Sequence, residues 1–95
     1  MSDKDYYRRQ IESKREDIVS VRTKIAKAKE DKKCKMASLA VSLKNTKDAS
    51  RKESIRREKI SVVATCERAV ESCQDKIESL KRDIENLRAS MARAK

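Results

Sequence analysis

Glycine, proline, phenylalanine, tryptophan and histidine are all missing from this chain of 95 residues. Without glycine or proline there is no easy route to a tight turn or a strained loop, and most of what remains favours helix. Tyr6 and Tyr7 are the only aromatics, so the bulky side chains that fill a thick globular core are lacking. The missing histidine removes the side chain best suited to act as a base near neutral pH. No Gly-rich loop is available to cradle a phosphate. The serines have no base partner, and the carboxylates are spread along helix faces instead of converging. These absences point away from an enzyme, a cofactor, a metal site and a small-molecule substrate.

Long apolar runs are also absent. Met36-Ala-Ser-Leu-Ala-Val-Ser-Leu43 is the longest, far short of the ~20 residues that cross a bilayer, so no membrane span is expected. The opening Met-Ser-Asp-Lys-Asp lacks the apolar core of a signal peptide. A cytoplasmic location is the resulting expectation, although leaderless export leaves no such mark. The three cysteines, Cys34, Cys66 and Cys73, form no C-x-x-C pair. Cys66 and Cys73 lie two helical turns apart, about 10 Å, too far for a disulfide. They read as small apolar side chains in the seam of a reduced protein.

What is present is charge. Asp, Glu, Lys and Arg make up 44% of the residues, against about 25% in an average protein, and the formal net charge is +10. A chain of this length and polarity forms one domain at most. It must either stay disordered or bury a narrow apolar stripe against another helix. Periodicity favours the stripe.

From residue 63 onward, Val63, Val70, Ile77, Ile84 and Met91 occupy one heptad position, and Cys66, Cys73, Leu80, Leu87 and Ala94 the other. That alternation of three and four residues is a coiled-coil seam. The first half carries Tyr7, Ile11, Lys14, Ile18, Val21, Ile25 and Ala28 in the same pattern. It degrades at Lys32 and Lys35 and resumes out of phase at Met36, Leu39 and Leu43, a stutter that locally unwinds a supercoil.

Between the halves, Asn45 can end a helix, and Ser50 with Glu53 has the spacing of a capping box. The sequence therefore predicts an all-α fold, an antiparallel two-helix coiled-coil hairpin. Its helices run over about 4–44 and 51–94, with a turn at about 45–50. Facing positions then sum to 98, matching Tyr7 with Met91, Ile11 with Leu87, Ile18 with Leu80, Val21 with Ile77 and Ala28 with Val70. Met36–Val62 and Leu43–Ile55 follow once the stutter is absorbed. The alternative is one continuous helix in a parallel dimer, which would leave the polar stretch 44–54 without a seam. The self-association seam comprises Tyr7, Ile11, Ile18, Val21, Ile25, Val70, Ile77, Leu80, Ile84, Leu87 and Met91. A hairpin this thin is marginal alone, so pairing into a helical bundle is expected. Ile60, Val62, Ala69, Ala37, Ala40 and Val41 flank the seam and could extend it.

The charge is uneven. Arg22 to Lys59 holds fourteen basic and five acidic residues, whereas the rest of the chain is nearly balanced, with twelve and eleven. A hairpin gathers the first group into a basic tip: Lys27, Lys29, Lys32, Lys33, Lys35, Lys47, Arg51, Lys52, Arg56, Arg57 and Lys59. Such a tip attracts polyanions, including nucleic acid. With no aromatics nearby to stack bases and no helix-turn-helix or zinc-finger spacing, it would contact phosphates without reading sequence.

The opening Asp5-Tyr-Tyr-Arg-Arg9, the Ile11/Ile18/Ile25 ladder, the midpoint Ser42-Leu-Lys-Asn-Thr-Lys-Asp-Ala-Ser50 and the following Ser54-Ile-Arg-Arg-Glu-Lys-Ile60 resemble the N-terminal coiled-coil hairpins that precede some bacterial TIR domains. In that family the hairpin is an assembly or sensing module and the TIR domain cleaves NAD. None of that catalytic function carries over to these 95 residues. In size and hairpin form the chain is also similar to WXG100-like proteins of type VII secretion. It has Asn45-Thr-Lys47 in place of their Trp-x-Gly turn. These resemblances imply a bacterial adaptor, chaperone or oligomerisation element, including the partner of a larger effector or secreted toxin. The expected partners are a second copy or another helical protein. The alternative is a nonspecific nucleic-acid-binding hairpin.

Overall fold

Two long helices account for nearly all of the chain. In the computed structural model, which describes residues 2–94, α1 runs Asp3–Asn45 and α2 runs Ala49–Arg93. They form an all-α helical hairpin, and no strand occurs among the described residues. No helix there is long and apolar enough to cross a membrane.

The start of α1 is set by Ser2, whose hydroxyl accepts the Asp5 backbone N–H at 3.2 Å while its carbonyl accepts the Tyr6 N–H at 3.1 Å. One orphan donor of the first turn is thereby satisfied. Asp3 and Asp5 add negative charge where the helix dipole favours it. Hydrogen bonding from Ser2, chiefly its side chain, holds the Asp5 carboxyl below the usual aspartate range. Slight desolvation opposes this, while the Ser2 backbone and the Arg8 guanidinium add to it.

The connection is shorter than the sequence suggests. Only residues 46–48 lie between the helices. The expected Ser50–Glu53 box is not the start of α2. Asp48 takes that role, its Oδ1 accepting the Ser50 N–H at 3.0 Å and its carbonyl accepting the Lys52 N–H at 3.0 Å. Aspartate and serine are comparable caps, and the earlier one extends α2 by two residues. Asn45 is the last residue of α1, but no described residue has positive φ, so it closes the helix without the left-handed geometry of an Asn cap.

The hairpin divides into two compact units. In the terminal unit, residues 2–24 pair with 72–94. Here Ile11, Ile18 and Val21 of α1 are buried with Ile77, Leu80 and Ile84 of α2. Each such side chain contributes about 1.5–3 kcal/mol on burial. Tyr7, Leu87 and Met91 are half-buried. Lys14 Nζ meets Asp83 Oδ2 at 3.6 Å across the seam, one residue from the level at which the predicted register sets Lys14.

The turn unit comprises Ile25–Glu71. Its only buried hydrophobic side chains are Ile55 and Cys66, both on α2. On α1, Met36 and Leu43 follow the shifted phase, Lys32 and Ser42 keep the original heptad phase, and Leu39 fits both; all five are half-buried, as is Thr46 in the connection. Two competing phases share the contact and neither is fully covered, which is the packing cost of the stutter. Ile25 and Val70 are likewise half-buried. The Cys66 thiol donates to the Ala28 carbonyl at 3.6 Å, one helical turn nearer the connection than Val70, the partner that the register assigns.

Candidate interaction surfaces

The turn unit holds all eleven predicted basic residues. Lys27, Lys29, Lys33, Lys35, Lys47, Arg51, Arg56 and Arg57 are exposed, whereas Lys32, Lys52 and Lys59 are half-buried. Lysine at such positions lays its methylene stem on apolar neighbours and keeps the ammonium in water. Lys32 behaves as the seam reading expects. Lys35 does not: it is exposed, because the shifted phase turns Met36 inward in its place. Of the eleven, only Arg57 forms an ion pair among the described residues, with Glu53 at 3.4 Å. Among the described residues the terminal unit holds four ion pairs: Arg8–Asp5, Lys14–Asp83, Arg15–Glu12 and Arg88–Glu85.

Two grooves run along opposite sides of the turn unit's seam. One, about 480 Å³, mixes apolar side chains such as Leu39, Val62 and Ala69 with Ser38, Ser61 and Thr65, and Lys32, Lys35, Asp31 and Glu58 also line it. The other, about 380 Å³, is lined by Met36, Lys59, Ile60, Val63, Ala64 and Glu67. Ile60 is 72% exposed there, more than Val19, Val41 or Tyr6, the other large apolar residues on the surface. The sequence marks Ile60 and Val41 as seam flanks. It does not reveal the grouping of Ile60 with Met36 across the two helices, which depends on the phase Met36 adopts.

The cysteines divide. Cys66 is buried and Cys73 half-buried, in keeping with the seam reading, but Cys34 is exposed. It sits two residues from both Lys32 and Met36, outside either seam phase, and its thiol lies 3.7 Å from Glu30 Oε1. Tyr6 and Tyr7 stack edge to face with ring centroids 5.5 Å apart. Tyr7 is half-buried and Tyr6 exposed.

No family model, curated protein or solved structure matches this chain.

Proposed function

We propose that the chain is a non-enzymatic protein–protein interaction module, a coiled-coil hairpin completed by further helices from a second copy or another helical protein. The observation that carries this reading is the thinness of its interior. Among the described residues only eight hydrophobic side chains are buried, and none is fully enclosed. The accessible surface is 7378 Å², against about 5,600 Å² for a compact monomer of this mass. A surplus of this kind is what a stable interface removes. The resemblance to bacterial hairpins that serve as assembly elements supports the same reading, with the cytoplasm as the expected location.

Sedimentation combined with circular dichroism tests it. The unfolding midpoint should rise with protein concentration, as linkage to association requires. A monomer stably folded at micromolar concentration would remove self-association.

The unpaired basic residues of the turn unit favour a second reading, contact with nucleic-acid phosphates. Its signature is affinity that falls steeply with added salt. Absence of binding to duplex DNA or RNA at low salt would eliminate it.

A further inference from the structure

We infer that the groove between Met36 and Ile60 docks an acidic amphipathic helix belonging to another protein. This rests on the interaction-module reading and specifies what one face of the turn unit receives. The groove floor is apolar: Met36, Val63 and Ala64 are half-buried and Ile60 stands exposed over it. Its borders are basic. Lys59 lines it directly. Arg56 precedes Ile60 by four residues, Lys33 precedes Met36 by three and Lys29 by seven, spacings that share a helix face. None of these four cations has a carboxylate partner among the described residues. The stretch from Arg56 to Glu67 spans about 16 Å at 1.5 Å per residue, or three helical turns. Glu67 at the far end directs the partner's carboxylates toward Arg56 and Lys59.

Other occupants fit less of this surface. Nucleic-acid phosphates would satisfy the cations but leave Ile60 in water, and no aromatic is present in the turn unit to engage a base. A second copy of the turn unit brings thirteen basic and seven acidic residues of its own, so like charges would meet. A membrane surface requires a broad apolar face, and Ile60 is flanked by charge. An acidic helix with an apolar stripe covers Ile60 and pairs the cations at once.

The probe is a fluorescein-labelled synthetic peptide of about three heptads, with leucine at the core positions and glutamate flanking them. Controls are a scrambled peptide of identical composition and a duplex DNA. The patterned peptide should bind at least roughly tenfold more tightly than the scrambled one, about 1.4 kcal/mol. Ile60→Asp and Arg56→Glu should each weaken it by a similar factor, and Val19→Asp in the terminal unit should leave it unchanged. Ile60→Ser serves as a second, milder variant, and circular dichroism verifies helix content throughout. Equal binding of the scrambled peptide, indifference to Ile60 substitution, or DNA binding that outcompetes the peptide would each overturn the proposal. Sedimentation separates the two readings. An oligomer that fails to bind the peptide sinks only the groove assignment, and a monomer that binds it sinks only self-association.

Discussion

The terminal unit and the turn unit use the same two helices to different ends. The first buries six aliphatic side chains and places an ion pair across its seam. The second buries two and leaves ten of the eleven predicted tip cations without an ion pair among the described residues. The difference lies in phase. Tyr7, Ile11, Ile18 and Val21 hold a single heptad phase, broken only by Lys14, which Asp83 pairs across the seam, and Ile77 to Met91 hold one again, so one face of each helix meets the other. Around Lys32–Met36 two phases overlap and the contact becomes shallow. Stability in a hairpin of this kind is local, and the shallow region is where surface is left for a partner.

The largest expected effect tests that contrast directly. Leu80→Ala, which removes a side chain 7% exposed, should cost about 3 kcal/mol in denaturant unfolding. Leu39→Ala, at a half-buried site in the turn unit, should cost about 1 kcal/mol. Equal losses would erase the distinction. Next, Lys32→Leu should stabilise the turn unit by about 1 kcal/mol, because a half-buried seam position would gain an apolar side chain. A loss of stability would mean that the lysine holds the seam instead of loosening it. Asp48→Ala should cost about 1 kcal/mol through the lost cap of α2, whereas Ser50→Ala should change little. The opposite order would restore the cap to Ser50.

The smallest effect concerns pH at the terminal unit. Because the folded Asp5 carboxyl lies below its usual range, its contribution to the start of α1 is complete above that range. It is lost as pH falls through the lowered value. Proton NMR titration should place Asp5 below an ordinary aspartate, and Ser2→Ala should move it back up. An unchanged titration in that variant would assign the shift to Arg8.

Much of this was legible in the residues. Sustained heptads at Ile77, Leu80, Ile84 and Leu87 announce a seam, and the polar stretch around Asn45 announces a reversal near the midpoint. The exact cap was not legible, since Asp48 and Ser50 are equally good candidates and two residues apart. Nor was the outcome at the stutter. Periodicity identifies a phase change at Lys32–Met36 but does not say that both phases will be half-covered, with Lys35 and Cys34 turned to solvent. The Met36–Ile60 groove depends on that outcome, so its members appeared in the sequence only as separate flanking residues.

Amide hydrogen exchange, resolved by residue, tests the central contrast most directly. Exchange should be markedly slower for residues 11–21 and 77–87 than for residues 28–43 and 55–66, with an added acidic amphipathic helix slowing the second group selectively. Uniform protection along both helices, or stronger protection next to the connection, would contradict it.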